Sequence, residues 1–76
     1  MPDFKTIEER QQWIMEHADY FTVFRLVGRN RYRYECPTLA KAEELARSLS
    51  LQERGSRWMI YAVHGVMDSW IKTVAS

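Results

Sequence analysis

The sequence contains one cysteine, two prolines and three glycines, and it has no long apolar run. A single cysteine, Cys36, excludes an internal disulfide, and no second cysteine or histidine stands at zinc-finger spacing from it. No stretch approaches the roughly 18 consecutive apolar residues that span a bilayer. The acidic N-terminal segment is also unlike a signal peptide. The sequence therefore predicts a cytoplasmic protein, without a metal or a membrane partner, whose stability comes from an apolar core.

The chain has 76 residues, of which 46% are hydrophobic and 28% are charged. That length is too short for two cores, and that apolar content is too high for a disordered chain. We therefore expect a single domain over residues 1–76, with residues 1–5 loose. The small size also excludes most enzyme architectures.

The order of helix and strand patterns predicts an α+β domain. Thr6 to Glu9 form a capping box, and Thr38 is a typical N-cap residue. The first predicted elements are a helix over 7–17 and two strands over 20–27 and 31–36. A second helix starts at Thr38 and is followed by a loop over 50–56 and a central strand over 57–63. The last segment fits a short strand over 69–74 or a helix over 66–74. The expected architecture is α-β-β-α-β-β, a three- or four-stranded antiparallel sheet with at least one helix packed on it.

The two strands of the first hairpin can pair in two registers. A three-residue loop that ends at Asn30 with positive φ pairs Phe24 with Tyr34 and gathers the apolar side chains on one face. A two-residue loop pairs Arg25 with Tyr32 instead. The first register is favoured because it separates apolar from charged side chains, and it places the arginines together on the other face.

Charge is unevenly distributed along the chain, although the net charge is only +1. Residues 1–20 sum to −3, and residues 21–36 sum to +3. Guanidinium groups suit phosphate or carboxylate ligands, acidic groups can imitate phosphates, and exposed aromatic rings can anchor a partner. The candidate partner-binding residues are Arg25, Arg29, Arg31 and Arg33 on the hairpin, Glu8, Glu9, Glu16 and Asp19 near the N-terminus, and the aromatic residues Trp13 and Trp70. The competing interpretation of the arginines is a solvated face that protects an edge hairpin.

The remaining reactive side chains do not form a catalytic motif. His17 and His64 are the only candidate general bases, and neither has a serine or carboxylate partner fixed by spacing. Cys36 is expected to be a buried, inert thiol. The aromatic residues Phe24, Tyr34, Trp58 and Tyr61 are expected to pack in the core. The sequence predicts no cofactor and a non-enzymatic function.

Four segments over about residues 20–65 resemble small accessory proteins of phages and prophages. They are Leu26-Val27-Gly28-Arg29, the tyrosine-rich strand after it, the helix Thr38-Leu39-Ala40-Lys41-Ala42-Glu43-Glu44-Leu45-Ala46, and the strand Met59-Ile60-Tyr61-Ala62-Val63. Such proteins include anti-CRISPR proteins and inhibitors of host RNA polymerase. The resemblance implies a non-enzymatic inhibitor that blocks a host nucleic-acid-processing complex, such as a CRISPR effector, by occlusion.

Two other functions are consistent with the same residues. One is a small nucleic-acid-binding module in which the hairpin arginines contact phosphates and Tyr32 or Trp70 contacts bases. The other is a structural, self-associating domain. We expect the protein to be a monomer or a weak dimer.

Overall fold

The computed structural model describes residues 3–75, which form two helices and one four-stranded antiparallel sheet. The elements in chain order are α1 (Ile7–Glu16), β1 (Tyr20–Val27), β2 (Asn30–Cys36), α2 (Leu39–Gln52), β3 (Arg57–His64) and β4 (Met67–Ala75). The predicted α+β class and element order are confirmed. The last segment is a strand and not a helix. The strand order β2-β1-β3-β4 places the apolar strand β3 in the interior of the sheet.

Helix α1 begins with the predicted cap, although one of its two hydrogen bonds differs. The Thr6 hydroxyl accepts from the Glu9 N–H at 3.1 Å, but the Glu9 carboxylate accepts from the N–H of Lys5, at 3.0 Å, and not from that of Thr6. Phe4 also packs edge-on against Trp13, with 5.9 Å between ring centroids. Residues 4 and 5 are therefore in contact with α1, whereas residues 1–2 of the segment expected to be loose lie outside the described residues.

Helix α2 begins at the predicted cap, where the Thr38 hydroxyl accepts from the Lys41 N–H at 3.2 Å. It continues to Gln52, so the prediction of a loop from residue 50 is wrong. The helix continues because Ser50 extends the buried stripe of Ala42 and Ala46 by one more turn. Within the described residues, neither helix is long and apolar enough to cross a membrane.

Both helices pack against one face of the sheet, which we call the helix face. The buried core between the two layers contains Ile14, Phe21, Val23, Cys36, Ala42, Ala46, Trp58, Ile60 and Ala62. Helix α1 lies over β4 and β3, and α2 lies mainly over β3 and contacts β1 and β4 to an equal extent. Strand β2 is consequently the least covered strand, and it is exposed from Asn30 to Glu35.

The prediction of a three-residue hairpin loop is wrong. Val27 pairs with Asn30, and Arg25 pairs with Tyr32, so the loop is the two-residue Gly28-Arg29 turn. Gly28 has φ of +59°, the conformation that a type II′ turn requires at its first central residue, whereas no non-glycine among residues 3–75 has positive φ. The residue with positive φ in this turn is therefore Gly28 and not Asn30.

This one-residue change of register sends paired side chains to different faces. Phe24 lies opposite Arg33, and Tyr34 lies opposite Val23 on the helix face. Tyr34 is 40% exposed, so its prediction as a core residue is wrong, because α2 leaves β2 largely uncovered. Trp58 is buried as predicted, and Phe24 is half-buried on the other face.

Candidate binding surface on the open face of the sheet

Both helices of the described chain lie on the helix face, so the opposite face of the sheet, the open face, is not covered by a helix. Strand alternation determines which side chains it carries. They are Tyr20, Thr22, Phe24 and Leu26 from β1, Arg31, Arg33 and Glu35 from β2, Arg57, Met59, Tyr61 and Val63 from β3, and Asp68, Trp70 and Thr73 from β4. This face combines aromatic rings with guanidinium groups.

Three aromatic side chains lie near the middle of the open face. Phe24 contacts Tyr61 edge to face, with ring centroids 6.4 Å apart. Trp70 lies opposite Tyr61 across the β3–β4 pairing and is 48% exposed. Its indole N–H donates to the Thr73 hydroxyl at 3.2 Å, which orients the ring over the sheet.

A shallow depression of about 410 Å³ lies beside these rings. Its lining consists of Thr22, Phe24, Arg33, Tyr61 and Asp68. The depression is therefore bounded by two rings, one cation and one carboxylate, which is a surface suited to a flat polar ligand.

The arginines of the open face differ in how far they are engaged within the protein. Arg33 donates to Glu35 at 2.9 Å and to the Tyr20 hydroxyl at 3.4 Å, and the hydrogen bond with Glu35 raises the pKa of Arg33. Among residues 3–75, the exposed side chains of Arg31 and Arg57 form no ion pair or hydrogen bond. Two cations of this face are therefore free to contact a ligand.

Arg29 and Arg25 lie elsewhere on the hairpin. Arg29 projects from the exposed turn and is likewise unpaired within the described residues. Arg25 points to the helix face, where it forms an ion pair with Glu53 at 2.7 Å and lies 5.7 Å from the centre of the Trp58 ring. Its side chain is only 17% exposed. Arg25 is thus separated from the other three arginines by the sheet.

The acidic candidates lie on α1 and in the segment that follows it, and Glu8 reaches the β4 edge, where it lines a depression with Asp68 and Trp70. Glu8, Glu9 and Glu16 are exposed on α1, and Glu16 accepts from the Gln12 side chain at 2.9 Å. Asp19 has a structural contact, because its carboxylate accepts from the Gly65 N–H at 2.8 Å and so ties the start of β1 to the β3–β4 turn. The structure brings the three glutamates together and separates them from Asp19.

Trp13 and Trp70, both expected to be exposed anchors, have different environments. Trp13 is half-buried, stacks on His17 with centroids 4.2 Å apart, and meets His64 edge-on at 5.1 Å. Trp70 projects from the open face. Of the two, only Trp70 lies on the same face of the sheet as Arg31 and Arg33.

The two histidines have packing roles in this aromatic cluster. The His64 Nδ1 atom is buried, makes no hydrogen bond, and lies 3.6 Å from the Asp19 carboxylate. Cys36 is buried on the helix face, and this burial raises the pKa of its thiol. In the described part of the chain, no three His, Cys, Asp or Glu side chains converge on a point that could hold a metal ion.

Sequence reasoning omitted Phe24, Tyr61, Met59 and Arg57 from the candidate surface. Arg57 was missed because it begins an otherwise apolar strand. Phe24 was missed because the wrong register placed it beside Tyr34 in the core. The period-two alternation of β1, read with a two-residue turn at Gly28, would have placed Phe24 beside Arg33.

Comparison of the chain with models of protein families, with curated proteins and with solved structures finds no match in any of the three. The resemblance to phage accessory proteins therefore remains a prediction from residues 20–65.

Proposed function

We propose that this protein is a non-enzymatic module that binds single-stranded nucleic acid on the open face of its sheet. The observation that carries the proposal is that Phe24, Tyr61 and Trp70 share one face of the sheet with the unpaired guanidinium groups of Arg31 and Arg57. Proteins that bind single strands combine stacking rings with cations that follow the phosphates. The open face offers both on one rigid surface.

The arrangement across the strands supports a particular division of roles. Arg31 and Arg33 lie on the edge strand β2, beside Leu26 and Phe24 respectively. A backbone that runs along β2 would place its phosphates near these cations and its bases over Phe24, Tyr61 and the depression beside them. Arg29, in the adjacent turn, adds a third positive charge next to Arg31 and Arg33 at this edge of the sheet.

The exposed rings favour a single strand over a duplex. Trp70 and Tyr61 project from a sheet and not from an element that enters a groove, so they can stack only on bases that are already unstacked. A duplex would offer this face its phosphates and no ring contacts. The proposal therefore predicts tighter binding of an unpaired oligonucleotide than of the same sequence in a duplex.

The test is a fluorescence anisotropy titration of labelled DNA and RNA oligonucleotides at low salt. Trp70→Ala should weaken binding about 5- to 150-fold, the equivalent of about 1–3 kcal/mol for one stacked base. Tyr32→Ala is the matched control, because Tyr32 is an exposed ring on the helix face. Absence of binding at low salt, or equal loss in both variants, would contradict the proposal.

The salt dependence provides a second readout of the same surface. Arg31→Gln should reduce the slope of log affinity against log salt by about 0.7, the value for one phosphate contact on a single strand. Arg47→Gln is the control, because Arg47 is exposed on α2 and unpaired within the described residues. Equal slopes for the two variants would remove Arg31 from the interface.

We also propose, as a second candidate, inhibition of a host nucleic-acid-processing complex by occlusion, as the resemblance to anti-CRISPR proteins implies. The observation that favours it is the exposed acidic surface of α1, where Glu8, Glu9 and Glu16 line one depression and lie on a different element from the hairpin arginines. Affinity capture from a bacterial lysate should recover such a complex with the wild type and not with Glu8→Lys/Glu16→Lys. Equal recovery by both proteins would contradict this candidate.

A further inference from the structure

The two edges of the sheet differ in whether another part of the chain covers them. On β4, the Arg10 guanidinium donates to the backbone carbonyl of Asp68 at 3.1 Å, and the Gln11 side-chain amide donates to that of Trp70. Helix α1 thus occupies two of the backbone carbonyls in the first half of β4 that a second strand would need. Among residues 3–75, no such contact protects the outer edge of β2.

The hairpin geometry identifies the backbone groups that β2 presents to solvent. Val27 and Asn30 close a two-residue turn and form a hydrogen-bonded pair, and such pairs recur at every second residue of an antiparallel ladder. The residues between them, Arg31, Arg33 and Glu35, therefore direct their N–H and C=O groups outward. These three alternate residues form a continuous strand edge at which a second strand can pair.

We propose that this edge binds a second copy of the same chain, through antiparallel pairing of β2 with β2 about a two-fold axis at Arg33. Arg31 of one copy then faces Glu35 of the other, twice by symmetry, and each outward residue exchanges backbone hydrogen bonds with its counterpart. The product is a continuous eight-stranded sheet, twice the four strands of one copy. The occupant is a second copy because Arg31 and Glu35, at the two ends of this edge, carry opposite charges and face each other when the strand pairs with itself.

The neighbouring registers are less favourable for specific reasons. Centring the axis on Tyr32 places Arg31 opposite Arg33 twice, which sets like charges against each other. Centring it on Tyr34 places Pro37, which has no N–H, opposite Arg31. The axis at Arg33 keeps Pro37 out of the pairing and opposes only one pair of like charges, Arg33 with Arg33, each of which has its own Glu35 as a counter-charge.

Side chains on both faces fit the same register. On the helix face, Tyr32 and Tyr34, which are 42% and 40% exposed, become directly opposed cross-strand pairs. On the open face the two Arg33 side chains meet at the axis, where each is already paired with its own Glu35 at 2.9 Å. The exposure of tyrosines on an otherwise charged strand is thereby explained.

Sedimentation equilibrium without nucleic acid tests the proposal through charge reversal. The average mass of the wild type should rise toward twice that of the monomer as concentration increases, and Arg47→Glu should behave in the same way. Arg31→Glu and Glu35→Arg should each remain monomeric, because like charges then face each other. An equimolar mixture of these two variants should associate, since both opposed pairs are again complementary.

Three results would overturn the proposal. The first is a wild-type mass that does not depend on concentration, and the second is association of either single variant as strong as that of the wild type. The third is a mixture of the two variants that stays monomeric although both keep the wild-type circular dichroism spectrum. Because every altered side chain is exposed, loss of folding is distinguishable from loss of pairing by that spectrum.

Discussion

Arg25 and Arg33 lie on the same hairpin and carry the same charge, but the pleat of the sheet gives them different surroundings. Arg25 is on the helix face with Glu53 and Trp58, whereas Arg33 is on the open face beside Phe24. The clustering of arginines was visible in the sequence. Their division between two faces depends on strand register, which composition does not determine.

The ion pair of Arg25 gives a pH-dependent prediction. The hydrogen bond from Arg25 lowers the pKa of Glu53 below its ordinary value. A lowered folded pKa stabilises the protein above the ordinary carboxyl pKa, and that contribution is lost as pH falls through the folded value. We expect Glu53→Gln to be less stable than the wild type at neutral pH, and the difference to disappear in acid.

Urea denaturation of both proteins across the acidic range measures this difference. Glu44→Gln is the control, because Glu44 is exposed on α2 and unpaired within the described residues. A Glu53→Gln difference that is constant with pH would show that the charge of Glu53 is not what stabilises the fold.

At the scale of the elements, local patterns predicted most of the fold. Thr6 and Thr38 cap the two helices because a side-chain oxygen satisfies an N–H that the first turn leaves unpaired. The largely apolar strand β3 is interior because both of its edges pair with neighbouring strands, β1 and β4. These features depend on residues close together in sequence, so sequence reasoning finds them.

The hairpin register was not predicted, because two competing rules gave different answers. Segregation of apolar from charged side chains favoured a three-residue loop, while turn geometry favours glycine at the first position of a two-residue loop. Turn geometry prevails because Val23 must enter the core, and Gly28 allows the shorter turn without strain. The composition of the open face follows from this outcome, so it was missed together with the register.

The turn provides a direct test of this explanation. Gly28→Ala should lower the free energy of unfolding by about 1–2 kcal/mol, the cost of a left-handed conformation for a residue with a Cβ. An added Cβ would meet nothing within 4 Å, so the cost comes from the backbone and not from a clash. Asn30→Ala should be near neutral, because φ of Asn30 is not positive.

Urea denaturation monitored by tryptophan fluorescence measures both changes. A larger loss for Asn30→Ala than for Gly28→Ala would support the three-residue loop and contradict the pairing of Arg25 with Tyr32.

At the scale of the whole molecule, two layers separate the charges that nearly cancel in the sequence. The glutamates of α1 face outward from the helix layer, and Arg29, Arg31 and Arg57, the unpaired arginines of the described strands and of the hairpin turn, lie on the open face and its adjacent turn. The net charge of +1 therefore conceals a separation of acidic and basic surfaces on the molecule. This charge separation supports the proposal that a polyanion binds the open face. A partner of a different class would bind the acidic side.

The most direct test of the central claim follows the three indole N–H signals in an NMR titration with a single-stranded oligonucleotide. Trp70 lies on the open face, Trp58 is buried under the helix layer, and Trp13 packs in the histidine cluster. The account predicts that the Trp70 indole and the Arg33 guanidinium signals shift while the Trp58 and Trp13 indoles do not. Shifts confined to Trp13 and α1, or no shift at low salt, would contradict nucleic-acid binding on the open face.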